Sequence, residues 1–278
     1  MRRRQFVTLM AGGSSMTGGC LGLGVSADDD QTGAGVFQSH RYEGRQLIVQ
    51  FQERAEIEEA VLVDRALDRQ YQRIARPADR AYFDVVFPDR LESSLSKNLY
   101  VKAKTAGGWV SEWVWEPVHG AAKNIEVGSD GSVAFDIHNT GAAPLLVRFV
   151  GIYGDVPNST VDLQADSFER EALEFGPGVV GAGDNRPLDP SRGDLVVGPG
   201  ETARFETVYR PFAFEDGAPA GSCDGTERTG DIGIVHASGT ITSYTFSYRG
   251  SGGRVAAETD ASASQQGVEA CDTVTTSR

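Results

Sequence analysis

This chain of 278 residues has few of the residue types that build metal, redox and hydrolytic sites. It holds only four histidines, and no two of them have the i, i+4 spacing of a helical zinc site. All three methionines lie within the first 16 residues, so the rest of the chain lacks the axial methionine that is usual in blue-copper sites. There is no Cys-x-x-Cys pair, no Gly-x-Ser-x-Gly elbow and no phosphate-binding loop. The sequence therefore predicts no metal, no cofactor and no enzymatic activity.

Lysine is also scarce, whereas acidic residues are abundant. The chain carries 39 Asp and Glu against 26 Lys and Arg, for a net charge of −13, and its only lysines are Lys97, Lys102, Lys104 and Lys123. A nucleic-acid partner is excluded by this balance, because such a partner needs a basic face. Many acids with few lysines resemble proteins of salt-loving archaea, for which concentrated salt screens the repulsion between like charges.

No segment is apolar enough for a transmembrane helix. Residues 6–25 near the start carry no charge, and they contain six glycines and four Ser or Thr residues. Glycine costs about 1 kcal/mol per helix position relative to alanine, and a spanning helix needs about 20 predominantly apolar residues. The stretch instead favours a cleaved signal peptide over residues 1–19.

Two short motifs in this leader carry an export prediction. The run RRQFV, with Arg3, Arg4 and Phe6, resembles the twin-arginine signal, which exports folded proteins. The run TGGC, which ends at Cys20, resembles the lipobox of lipoprotein precursors. The resemblance implies lipid attachment at Cys20, a flexible tether over residues 20–38, and anchoring to membrane lipid at the outer face of the cytoplasmic membrane.

The two remaining cysteines form an even pair. Cys223 and Cys271 are left once Cys20 takes the lipid, and outside the cell an even pair implies a disulfide. We expect this bridge to hold residues 251–278, which are polar and otherwise read as a mobile tail.

The body of the chain has the pattern of an all-β protein. Leu47, Val49 and Phe51 alternate with Ile48, Gln50 and Gln52, and Gly107-Gly108 separates two strand-like runs as in a hairpin. Residues 53–76 allow two interpretations. Their strong helix formers fit one helix, whereas the β-branched centre of AVLVD favours two strands joined near Asp64–Arg69, which is the interpretation we prefer.

The second half resembles immunoglobulin-like modules of archaeal surface proteins. The resemblance rests on SVAFDIHNTGAAPLLV at 132–147 and on LVVGPGETARFE. It implies two immunoglobulin-like β-sandwich domains, at 39–118 and 119–250. In its order of elements the chain resembles twin-arginine-exported lipoproteins of halophilic archaea. These motifs are short and structural, so the resemblance implies a fold and not a function.

Three hypotheses for function follow. The first is a non-enzymatic binding or spacer module at the cell envelope, whose partner is an envelope protein or a polysaccharide. The second is carbohydrate binding by Trp109, Trp113 and Trp115, which share one face of a predicted strand; the alternative is that these residues fill the core. The third is a hydrolase with its site in loops 154–193.

One modification site is also predicted. Asn158 begins an N-glycosylation sequon, Asn158-Ser159-Thr160, in a predicted loop.

Overall fold

The computed structural model describes residues 31–32, 35–160, 162–166, 168, 195–207, 209–214, 223–256 and 269–277. Over these residues the protein is all-β, as the sequence predicts, with one 3-10 turn at Pro88–Arg90. None of the described segments is a helix long and apolar enough to cross a bilayer. The strands of the first half are β1 (Gln31–Thr32), β2 (Phe37–Glu43), β3 (Gln46–Phe51), β4 (Glu59–Asp64), β5 (Arg69–Ala75), β6 (Arg80–Asp84), β7 (Val86–Phe87), β8 (Glu92–Ser93), β9 (Leu99–Thr105) and β10 (Gly108–Trp113).

The second half contributes nine further strands. They are β11 (Gly120–Val127), β12 (Val133–Asn139), β13 (Leu145–Gly154), β14 (Val196–Val197), β15 (Thr202–Glu206), β16 (Ala213–Phe214), β17 (Glu227–His236), β18 (Ile241–Ala256) and β19 (Glu269–Ser277).

In the first half, a five-stranded sheet and a three-stranded sheet bury their facing sides together. The larger sheet has the order β1-β10-β9-β4-β5 and the smaller one β2-β3-β6, while β7 and β8 form a short ribbon. Leu47 and Val49 of β3 are fully buried in the same hydrophobic cluster as Leu62 of β4 and Leu99 of β9. Side chains alternate across a strand, so the predicted alternation in β3 is what gives this sheet its buried face.

Residues 53–76 form two antiparallel strands, so the helix interpretation is wrong. The carboxylate of Asp64 decides where the chain reverses. Its Oδ1 accepts hydrogen bonds from the backbone N–H groups of Ala66 (2.8 Å) and Leu67 (3.1 Å), and its Oδ2 accepts one from the Ser96 hydroxyl (2.5 Å). An aspartate that caps its own backbone in this way favours a turn over a helix, and β5 then pairs back onto β4.

The second half also buries two sheets against each other. A three-stranded sheet, β11-β12-β15, lies against a six-stranded sheet of order β14-β13-β17-β18-β19-β16. Phe135 of β12 and Ile234 of β17 belong to one hydrophobic cluster, which also contains the core of the first half. The predicted strand–turn–strand at 132–147 crosses from the smaller sheet to the larger, because β12 and β13 pair with different partners. The immunoglobulin-like character and the boundary after residue 118 stay predictions.

Two stretches predicted outside the sandwiches are strands instead. Residues 251–256 extend β18, and β19 pairs with it as part of the six-stranded sheet, so residues 251–256 and 269–277 are strands and not the predicted mobile tail. Within the expected tether, β1 pairs in parallel with β10. The disulfide is confirmed: Cys223 and Cys271 are bonded with a Cα–Cα distance of 5.4 Å, which links β19 to the segment before β17.

Candidate functional site

The predicted hairpin places the tryptophans. Strands β9 and β10 pair antiparallel, with Trp109 opposite Lys104 and Trp113 opposite Tyr100. Directly opposed residues of an antiparallel pair project from the same side of the sheet. Trp109, Trp113 and Tyr100 therefore share one face of the five-stranded sheet, which we call the aromatic face.

The aromatic face points away from the core. Half of the Trp113 side chain is exposed (50%), whereas Val114 beside it is fully buried and Val110 packs against the core from the opposite face. Trp109 is partly exposed and lies outside the core clusters. Trp115 is partly buried and does pack against the core. The hypothesis that all three tryptophans fill the core is therefore wrong for Trp109 and Trp113.

Trp113 is held in a defined orientation despite its exposure. Its indole ring stacks on that of Trp115, with centroids 5.7 Å apart and an angle of 27° between the planes. Its Nε1–H donates to the carbonyl of Lys97 at 3.0 Å. Because both the ring plane and the polar tip are fixed, a ligand that stacks on Trp113 would have to order little of the side chain.

A groove begins beside Trp115. It has a volume of about 570 Å³ and runs between residues 95–97 of the first half and residues 238–241 of the second. Trp115 and Pro117 supply apolar surface, and the hydroxyls of Ser238 and Thr240 lie on the other side. An apolar wall with a few polar groups is the usual composition of a site for a small ligand.

The rest of the aromatic face is covered by cationic side chains. The Arg65 guanidinium lies 3.9 Å from the centroid of the Tyr100 ring and donates to the Ser111 hydroxyl at 2.6 Å. The Lys102 ammonium lies 5.8 Å from the centroid of Trp109. These contacts are cation–π interactions, which leave Tyr100 less accessible to a ligand than Trp113.

Sequence reasoning found the tryptophans and missed their neighbours. Tyr100, Lys102 and Lys104 were available from the hairpin register, because each lies opposite a β10 residue on the same face. Arg65 gave no such signal, since it comes from the β4–β5 turn and reaches the hairpin only through the pairing of β4 with β9.

The other predicted site residues have varied outcomes. The side-chain nitrogen of Asn158, where a glycan would attach, donates one of its two hydrogens to the carbonyl of Arg210 at 3.2 Å, which leaves the other for replacement by a sugar. Arg3, Arg4, Phe6 and Cys20 lie outside the described residues, as does most of the 154–193 region. Among the described residues, no group of three or more His, Cys, Asp or Glu could hold a metal ion.

Several titratable groups have shifted pKa values, and burial is the main cause. Burial lowers the pKa of His236 to about 4, opposed in part by its hydrogen bond to the Pro144 carbonyl. Burial raises the pKa of Tyr42 and of Tyr209. It also raises the pKa of Tyr71, with help from the carboxylate of Asp64. In the described part of the chain, no hydrogen bond or ring contact joins any of these four groups to the Trp113 ring, so their pKa shifts bear on the stability of the fold and not on the candidate site.

Comparisons with known proteins give no family. No protein-family model and no curated protein matches the sequence. Among solved structures, the chain is similar to a beta-glycosidase from Bacteroides vulgatus, with 9% sequence identity and a TM-score of 0.22. The match covers 75% of this chain and 24% of the glycosidase, so the chain spans about a quarter of that protein's length. A TM-score this low establishes neither a shared fold nor a shared activity.

Proposed function

We propose that this protein is an exported, lipid-anchored surface protein of a halophile that binds carbohydrate without catalysis. One observation supports the proposal above the others: Trp113 is half exposed and held in place by Trp115 and by the Lys97 carbonyl. A sugar ring has an apolar face of C–H groups, and a flat aromatic ring provides a matching surface at little entropic cost. The groove beside Trp115 offers room and hydroxyl groups for a further sugar unit.

Alternation along β10 suggests a polymeric ligand. Trp109 and Trp113 are four residues apart on one strand, which separates them by about 13 Å at the usual rise per residue. One glycan chain that crosses the aromatic face would contact Trp113 and could reach Trp109 once the Lys102 ammonium moves from over that ring. The spacer and hydrolase hypotheses have no comparable observation in their favour among the described residues.

The proposal is tested by binding of soluble cellulose, chitin and xylan oligosaccharides to the full chain in concentrated salt, followed by tryptophan fluorescence. We expect at least one oligosaccharide to shift the emission and to protect Trp113 from a soluble quencher. Replacement of Trp113 by alanine should weaken binding roughly tenfold or more, as for an aromatic anchor in an interface.

Tyr82→Ala is the matched control, because Tyr82 is a 45% exposed aromatic residue on β6 of the opposite sheet. It should leave binding unchanged. The proposal is abandoned if none of the oligosaccharides binds, or if Trp113→Ala binds as well as the Tyr82 variant does.

A further inference from the structure

Arg148 is the extra residue of a β-bulge in β13. The register of β13 with β17 shifts between Val147 and Phe149, so Arg148 has no opposed residue on β17. All other residues of the strand up to Tyr153 are buried, and Arg148 alone is partly exposed. A bulge changes the direction of a side chain, and here it gives an arginine access to the surface from within a buried strand.

A cavity of about 580 Å³ lies beside this bulge. Arg148 and Ala237 line it from the second half of the chain. The first half contributes strand β5 and residues 90–94, and with them two more arginines, Arg69 and Arg90. Three guanidinium groups from distant parts of the sequence therefore line one cavity.

The charges in the cavity are only partly balanced. Arg90 pairs with Glu92 at 3.4 Å, and the carboxylate of Asp84 already accepts a hydrogen bond from a side-chain amide. Arg69 and Arg148 make no ion pair with any residue that the structure describes. The chain has a net charge of −13 and 39 acidic residues, so two arginines without ion pairs to the described residues make this cavity a positively charged site in an acidic protein.

We propose that this cavity binds an oxyanion group, which is a carboxylate, a sulfate or a phosphate, through Arg148 and Arg69. A guanidinium donates two parallel hydrogen bonds to such a group, and this geometry adds specificity to the charge attraction. Gln72 also lines the cavity; its Oε1 accepts from the Asp84 N–H (2.9 Å), so the amide group of Gln72 offers its nitrogen as a neutral donor. The proposal does not depend on carbohydrate binding at Trp113.

Isothermal titration of the full chain with sodium sulfate, sodium phosphate and sodium glucuronate, at constant ionic strength, tests it. Glucose serves as the neutral counterpart of glucuronate. We expect saturable binding of at least one oxyanion and none of glucose. Saturation by glucuronate indicates a site for carboxylates, and saturation by sulfate or phosphate alone indicates a site for inorganic or ester oxyanions. Arg148→Gln should weaken binding about tenfold or more.

Arg249→Gln is the matched control, because it removes the same charge from an exposed pair with Glu227 on another part of the surface. It should leave anion affinity unchanged, and Trp113→Ala should do so too. If Arg148→Gln does not fold, Arg69→Gln replaces an exposed residue of the same cavity and carries the same expectation. Absence of saturable binding for all three anions, or equal weakening by Arg148→Gln and Arg249→Gln, overturns the proposal.

Discussion

The side-chain amide of Asn139 donates a hydrogen bond to the carbonyl of Val197 at 2.9 Å, and this bond joins two of the places where the chain crosses between the sheets of the second half, β12 to β13 and β14 to β15. The same nitrogen donates to the carbonyl of Ala143, also at 2.9 Å, and the Oδ1 accepts from the N–H of Gly141. Asn139 is fully buried, and every polar atom of its side chain has a partner. The asparagine of the HNTG turn thus stabilises the crossover from β12 to β13 and the one from β14 to β15.

Removal of this amide should destabilise the protein strongly. Asn139→Ala removes a buried side chain that is the partner of two carbonyls and one N–H, so we expect a loss of roughly 2–4 kcal/mol in the free energy of unfolding. Chemical denaturation in constant salt measures it. Asn98→Ala, at an exposed position, should change stability by less than about 0.5 kcal/mol. Similar losses for the two variants would contradict this role for Asn139.

His236 should make stability depend on pH in the acidic range. The ring is 2% exposed; its Nδ1 accepts from the Ser238 N–H at 2.9 Å, and its Nε2 faces the Pro144 carbonyl at 3.3 Å. The pKa is about 4 in the folded chain and near 6.5 when unfolded. Between these values the unfolded chain binds more protons, so stability falls by roughly 3 kcal/mol as pH drops from about 6.5 to 4, and is unaffected above that range.

Urea denaturation at a series of pH values checks this prediction. His236→Leu should flatten the curve between pH 4 and 6.5 relative to the native chain, since leucine has no proton to gain. Asn98→Ala, which alters an exposed residue with no titratable side chain, should keep the native slope. Equal slopes for the native chain and His236→Leu would show that carboxylates alone account for the pH dependence.

Loss of the disulfide should destabilise the six-stranded sheet. Cys223 and Cys271 are 48 residues apart, and closure of a loop of that length stabilises a fold by roughly 4 kcal/mol in the chain-entropy model. The double variant Cys223→Ala with Cys271→Ala should lose about that amount in guanidinium denaturation. A reductant should destabilise the native chain and leave the double variant unchanged. If the reductant leaves the stability of the native chain unchanged, the disulfide contributes little to the free energy of unfolding.

Salt should stabilise this chain. The net charge of −13 produces repulsion over the whole surface, and an increase from 0.1 M to 1 M NaCl shortens the Debye length from about 10 Å to about 3 Å. Exposed ion pairs such as Arg249–Glu227 weaken at the same time, but each contributes at most about 1 kcal/mol. We expect the Tm to rise across this range, in a thermal scan followed by circular dichroism. A constant or falling Tm would count against a saline habitat.

The leader should decide where the protein resides. In a halophilic host that expresses the full precursor, Arg3→Lys together with Arg4→Lys should leave the uncut chain inside the cell. Cys20→Ser should release the exported protein into the medium, because a lipid group with two long chains, joined to the Cys20 sulfur by one bond, anchors stably, and serine would not carry it. Fractionation with an antibody measures both. Unchanged export of the arginine variant would refute the twin-arginine prediction, and unchanged membrane attachment of Cys20→Ser would refute lipid attachment at Cys20.

The sequence alone was enough for the all-β class and for a hairpin near Gly107-Gly108, although its two-residue turn is Ala106-Gly107 and Gly108 already pairs with Thr105. It favoured the two strands on either side of Asp64–Arg69 and left a helix open. These features depend on local chemistry: alternation of side chains, glycine at a turn and an aspartate that caps its own backbone. The cysteine pair also followed from simple counting. In each case the deciding residues are close together in the chain or few in number.

Other predictions were wrong because pairing between distant strands is not written in any local pattern. β19 lacks a strong apolar alternation, and it is a strand because β18 offers it an edge and Cys271 is bonded to Cys223. β1 is a strand because β10 was left as the outer strand of its sheet. In both segments the hydrogen-bonding partner is the edge of a strand from elsewhere in the fold, β10 or β18. The polar composition of the segment therefore predicts a tail or tether where the structure has a strand.

From the sequence one can determine that Trp109 and Trp113 share a face of β10, because side chains alternate along any strand. Only the tertiary structure decides that this face is the outer one, since which side of a sheet is covered depends on where the second sheet packs. The cavity at Arg148 has the same origin: Arg69, Arg90 and Arg148 are far apart in the chain, and they line one cavity only because the two halves fold against each other.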